Sequence, residues 1–138
     1  MSVSSDDIVH TILINARPAT VWSFWVDPNR MAQWWGAAEL EPARGGRYRV
    51  TMPTGQVMEG EYVELLPNER LVFRFGWATG GDAAIAPRST TVEVTLTEQD
   101  GATLVTLRHR DLPAPSRREH EGGWSHFLAR LAEAVVAP

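Results

Sequence analysis

The stretch EGGWSHFLARLAEAV, residues 121–135, sets Trp124, Phe127, Leu128, Leu131, Ala134 and Val135 at i, i+3, i+4, i+7, i+10 and i+11. That spacing draws one apolar stripe on a helix, with Ser125, Arg130 and Glu133 on the opposite side. Such a stripe has to be buried against another element, so the fold turns on what lies upstream. Ser116, with Glu119 three residues later, has the spacing of a capping box at the start of this helix. Gly122 and Gly123 are out of place there, since a glycine in a helix costs about 1 kcal/mol relative to alanine. Two explanations stay open: close approach to the sheet or to the Trp34–Trp35 segment, or a regular helix that starts only near Trp124.

Upstream the period is two. GRYRVTM (46–52) alternates Tyr48, Val50 and Met52 with Arg47, Arg49 and Thr51. RLVFRFGW (70–77) sets Leu71, Phe73, Phe75 and Trp77 against Val72 and Arg74. STTVEVTLTE (89–98) and ATLVTLRHR (102–110) do the same with Val92, Val94, Leu96 and with Val105, Leu107, His109. VMEGEYVELL (57–66) is a further strand, and Glu98–Gly101 is a hairpin turn. At the front, IVHTILIN (8–15) reads as a strand. It is followed by a helix opening at Pro18 and a second, PNRMAQWW (28–35), with Asp27 as N-cap and Gly36 as terminator. The whole is an α+β meander of strands with one apolar face, and the C-terminal helix is its cover. ATGGDAAIAPRS (78–89) is longer than a hairpin needs and is expected to be a mobile loop.

Composition narrows the function classes. At 138 residues the chain is most simply a single domain, 1–138, with enough length for its own core. Its charge of −4 and scattered arginines give no nucleic-acid footprint. It has no cysteine, no apolar run near the roughly 20 residues of a membrane span, and no leader pattern in MSVSSDDIVH, so a cytoplasmic location is expected. Six tryptophans are the anomaly, two of them adjacent in QWWG.

The segments ARPATVWSFWVDPNRMAQWWG, GGRYRV, GEYVELLPNERLVFRF and EGGWSHFLARLAEAV, in that order, resemble the START-like (SRPBCC) superfamily. Within it they are most similar to bacterial relatives of the activator of the heat-shock-protein-90 ATPase. The resemblance implies a helix-grip: a curved antiparallel sheet wrapped around the C-terminal helix, with a cavity between them. It implies little chemistry, because relatives of this shape include lipid and hormone binders, cyclases, hydrolases and co-chaperones.

An apolar or aromatic small molecule is the expected partner. Its candidate contacts are Trp34, Trp35, Tyr48, Phe73, Phe75, Trp77, His109, Trp124, Phe127, Leu128 and Leu131, which converge from separate elements. A filled core is the alternative use of the same side chains. Trp34 and Trp35 lie about 100° apart on a helix; Trp35 is expected to anchor it, and Trp34 to form the cavity rim. His109 or Tyr48 would supply an orienting hydrogen bond. As an enzyme of the cyclase, hydrolase or dehydratase kind, the chain offers His109, Glu59 and Glu61 as candidate acid–base groups. The face of Glu59 and Glu61 also carries Val57, Val63 and Leu65, so parity leaves open whether it looks inward. The bland reading of His109, a partly solvated histidine at a strand mouth bonded to backbone, is preferred over a catalytic one. His120 and His126, six apart, fall on different sides of a helix, and no metal or cofactor motif occurs. A third reading is a protein-interaction module. Against heat-shock-protein-90 activation stands the larger, two-domain build of the eukaryotic co-chaperone. A homodimer through the outer sheet face is compatible with the pattern.

Overall fold

The computed structural model describes residues 7–137; residues 1–6, part of the stretch read for a leader, and residue 138 lie outside the described residues. Strands β1 (Ile8–Ile14), β2 (Ala37–Leu40), β3 (Arg47–Thr51), β4 (Val57–Leu66), β5 (Arg70–Phe75), β6 (Trp77–Thr79), β7 (Thr90–Gln99) and β8 (Ala102–Arg110) form one antiparallel sheet. Its order is β1-β8-β7-β5-β4-β3-β2, with β6 paired to β4 off that path. Helices α1 (Pro18–Val26) and α2 (Pro28–Met31) follow β1, and α3 (Arg117–Val136) closes the chain after a 3-10 turn at Ala114–Ser116. This is the helix-grip α+β arrangement that the resemblance implies.

Register explains the core. Val92 faces His109, Val94 faces Leu107 and Leu96 faces Val105 across β7 and β8. Phe73 faces Val92 on one side and Tyr62 on the other. All of these lie on the inner face and are buried, so the period-two reading placed the inner residues of β5, β7 and β8 correctly, while the stretch 70–77 read as one strand divides at Gly76 into β5 and β6. On β4 the inner residues are Met58, Gly60 and Tyr62, which puts Glu59 and Glu61 on the outer face. Asp100 and Gly101 both have positive φ (51° and 85°), as the tight turn between β7 and β8 requires.

Against this face α3 lays Trp124, Leu128, Leu131 and Val135, with His120 one turn further upstream. Helix α2 is shorter than its pattern. The chain leaves it after Met31 through turns in which the Trp34 and Trp35 amides donate to the Met31 carbonyl. Asp27 does cap α2, accepting from the Asn29 amide. Gly36 serves by its lack of a side chain, since a Cβ there would lie 2.2 Å from the Thr51 carbonyl oxygen. Its role is close approach of backbone to β3, and no left-handed cap is involved.

Three expectations around α3 are corrected. The capping box does not form: Ser116 has helical dihedrals and makes no side-chain cap bond. Its hydroxyl donates to Asp82 instead. The helix starts at Arg117, seven residues before Trp124, and a Cβ on Gly122 or Gly123 would meet nothing within 4 Å. Neither explanation for the glycine pair therefore holds. The 78–89 segment is tied down where a mobile loop was expected. Ile85 is buried, its carbonyl accepts from the Trp77 amide, and the Arg88 amide donates to the Glu59 carbonyl.

These two kinds of glycine respond oppositely to a methyl group. Gly36→Ala is expected to destabilise the fold by about 1–3 kcal/mol through overpacking. Gly122→Ala is expected to stabilise it by up to about 1 kcal/mol. Thermal unfolding checks both: the midpoints should move in opposite directions.

Candidate functional site

A cavity of about 600 Å³ lies between the end of the sheet and the N-terminal half of α3. Its apolar walls are Phe75 from the end of β5, Trp77 from β6, Trp35 from the turn after α2, Met52, and Trp124 and Phe127 from α3. Its polar end is formed by Asp82, Ser116, Glu119 and His120. Gly123 also lines it, so the empty space beyond that glycine is the cavity itself.

The candidate contacts divide. Trp35, Phe75, Trp77, Trp124 and Phe127 come together around the cavity; Trp34, Tyr48, Phe73, His109, Leu128 and Leu131 do not line it. The roles expected of the two tryptophans are reversed. Trp34 is fully buried, stacks on Trp35 at 5.4 Å, meets Trp25 edge-on at 4.7 Å and donates its indole N–H to the Phe24 carbonyl. It anchors, while Trp35 packs on Trp124 at 5.2 Å and faces the cavity. Tyr48 lies in the core, stacked on Phe73 at 4.2 Å and edge-on to Tyr62. Its phenol pKa is raised well above the ordinary value by burial, and by Tyr62 after that, and the side chain does not line the cavity.

Two hydrogen-bonded chains stiffen the walls. The Trp124 indole N–H donates to His109 Nδ1 (2.9 Å), which leaves Nε2 as the protonated nitrogen. Nε2–H donates to the Thr90 hydroxyl (2.9 Å), which donates to the Phe75 carbonyl (2.8 Å). His109 is thus a neutral side chain inside the fold with both nitrogens committed, bonded to side chains where a backbone bond was one reading. Burial, and to a smaller extent His120, push its pKa down to about 3, far from that of a general base poised near neutrality.

In the second chain the Trp77 indole N–H donates to His120 Nε2 (3.0 Å), and His120 Nδ1–H donates to the Ser116 carbonyl (2.8 Å). The Ser116 hydroxyl and the Ala84 amide donate to the Asp82 carboxylate, which lowers the Asp82 pKa in that order. His120 was set aside on the sequence because its spacing from His126 excludes a shared metal. The signal that finds it is its place four residues before Trp124, one turn up the same stripe. Asp82, Glu119 and His120 bring ligand-type atoms within 4.8 Å of one another. As arranged, however, His120 has one nitrogen protonated and the other accepting from Trp77, so it offers a metal no free lone pair.

Glu59 and Glu61 lie in a separate groove on the outer face. Glu59 pairs with Arg49 and Arg88, both at 2.8 Å, and Glu61 approaches Arg88 at 3.9 Å. They do not reach the cavity.

A curved antiparallel sheet closed over a C-terminal helix, with an aromatic cavity at one end, defines a helix-grip protein. The family of activator of Hsp90 ATPase homolog 1-like proteins matches residues 15–136, and the chain belongs to it. The human activator of 90 kDa heat shock protein ATPase homolog 1 is 28% identical over 90 residues, which is 65% of this chain and 25% of that protein. The matched part is thus a quarter of that relative's length. Among solved structures, the AHSA1-like protein of Rhizobium etli is 35% identical, covering 95% of this chain and 82% of that one, with a TM-score of 0.73. DynU16, a putative protein in the dynemicin biosynthetic locus, is 28% identical with a TM-score of 0.79, covering 93% of this chain and 46% of that one. No helix among the described residues is long and apolar enough to cross a membrane.

The depressed pKa of His109 fixes a sign. The unfolded chain takes up a proton at the ordinary value of 6.5, the folded protein only near 3, so stability is lost as pH falls through that interval. The loss is on the order of 1 kcal/mol per pH unit. His109→Gln, whose amide can still accept from Trp124 and donate to Thr90, should be less stable at pH 7. Its urea midpoint should nevertheless fall less steeply with acid than that of the parent protein.

Proposed function

We propose that the protein binds a small molecule with an apolar or aromatic body in the cavity between the sheet and α3. The observation that carries this reading is a helical glycine, Gly123, facing an aromatic-walled space of about 600 Å³. Drug-sized ligands occupy pockets of roughly 300–1,000 Å³ lined in this way, with a few polar groups for orientation. A core residue at position 123 would fill part of that space and favour the helix; glycine leaves it open at the expense of helix stability. The position of DynU16 in a biosynthetic locus for a small molecule is consistent with a ligand of this kind.

The enzymatic reading loses its named groups. Glu59 and Glu61 are outside, and His109 lies within the fold with neither nitrogen free. Among the lining residues only Asp82, Glu119 and His120 carry ionisable side chains, and His120 is held between Trp77 and Ser116.

Native mass spectrometry of freshly purified protein tests the proposal by looking for a co-purifying small molecule. Any ligand found, or taken from an aromatic and acyl panel, should quench tryptophan fluorescence, because Trp35, Trp77 and Trp124 line the space. Gly123→Leu should weaken its binding at least roughly tenfold while the variant stays folded, its side chain entering space that is free. Gly122→Ala, which does not line the cavity, should leave binding unchanged. Equal binding by the parent protein and Gly123→Leu would place the ligand elsewhere.

A further inference from the structure

We propose that the cavity selects organic cations: ligands with an aromatic body and a protonated amine, the amine seated at the end formed by Asp82 and Glu119. This rests on the ligand-binding reading and adds the chemical class of the ligand. Asp82 and Glu119 are the charged residues of the lining, and no arginine is among them. Arg47, Arg49, Arg70 and Arg88 pair on the outer face with Glu39, Glu59, Glu61, Glu64 and Glu93, Arg108 pairs with Asp7, and Arg117 and Arg118, which flank the start of α3, are not in the lining. Among the described residues no ion pair includes Asp82 or Glu119.

Gln56, the other polar side chain of the lining apart from Ser116 and His120, is neutral, and the Asp82 carboxylate is held in its charged form. Ser116 and the Ala84 amide both donate to the Asp82 carboxylate, which keeps it ionised. Two of the three indole N–H groups in the lining are spent within the protein, Trp77 on His120 and Trp124 on His109. Trp77 and Trp124 therefore present ring surface to the cavity, which attracts cations through its quadrupole. A carboxylate ligand would give up its hydration beside two like charges, with no basic side chain in the lining to offset them. An ammonium group would meet two carboxylates that otherwise repel each other.

Isothermal titration calorimetry at pH 7 with three probes of one shape, naphthylmethylamine, naphthalenemethanol and naphthoate, tests the inference. The amine should bind roughly tenfold tighter than the alcohol, and naphthoate weakest, with the amine's advantage shrinking as salt is raised. The double variant Asp82→Asn, Glu119→Gln should bring the amine-to-alcohol ratio to within about threefold. Amine and alcohol binding equally, or naphthoate binding tightest, overturns charge selection but leaves the cavity reading intact, provided that Gly123→Leu abolishes that binding. Failure of all three probes, together with no ligand sensitive to Gly123→Leu, overturns both. Zinc or calcium binding lost in Asp82→Asn, with no preference for the amine, would assign the carboxylates to a metal ion and also overturn the proposal.

Discussion

The hydrogen bond from the Trp124 indole to His109 joins the covering helix to the end of β8, one strand in from the edge of the sheet, and the arrangement around the cavity depends on it. An imidazole placed wholly inside a fold must have both nitrogens satisfied, or the desolvation cost falls on stability. Because an indole can only donate, Trp124 fixes the tautomer of His109 and obliges Nε2–H to find Thr90. Thr90 in turn takes the Phe75 carbonyl, at the point where β5 ends and the chain turns toward Trp77. One donor on α3 thereby sets the orientation of a side chain on β8, another on β7 and the backbone of β5. The helix is registered on the sheet by polar geometry as well as by its apolar stripe.

The strands, their inner faces and the stripe of α3 were legible because period two and period 3.6 are properties of the chain itself. What was not legible depended on which neighbour a group meets. Trp34 and Trp35 occupy adjacent positions, and only the turn after Met31, with the Phe24 carbonyl within reach of one indole, decides which of them anchors. The pairing of Ser116 with Glu119 satisfied a local rule, yet Asp82, 34 residues away in sequence, is the partner that Ser116 takes. Glu59 and Glu61 were undecidable because parity also puts Val57, Val63 and Leu65 on their face, whereas a bulge after Tyr62 breaks that parity and pairs Leu65 with the buried Leu71. The inner set Met58, Gly60, Tyr62 is disguised by a glycine where a large apolar residue would have marked the core. The site was legible in its aromatic half and hidden in its polar half, since Asp82 lies in a segment without periodicity.

The two sides of the sheet use charge differently. Outside, arginines and glutamates face each other across strands, as in Arg49 with Glu59 and Arg70 with Glu64, and much of the local charge is neutralised. Such exposed pairs contribute little to stability individually, and they leave the outer groove polar and balanced. Inside, at the cavity, Asp82 and Glu119 stand without ion-pair partners among the described residues, beside Trp77 and Trp124, whose indole N–H groups are turned to the protein. The negative charge of the chain is thus distributed unevenly with respect to this aromatic hollow.

The stacked pair Trp34–Trp35 has an optical consequence. Two indoles 5.4 Å apart and inclined by 28° have coupled electronic transitions, and here the halves of the pair have unequal freedom. Trp34 is held by the Phe24 carbonyl and by Trp25, while Trp35 shares a wall with the cavity. Near-ultraviolet circular dichroism of this pair therefore reports on the cavity wall against a fixed internal reference. The protein carries its own gauge of what its interior holds, with no label attached.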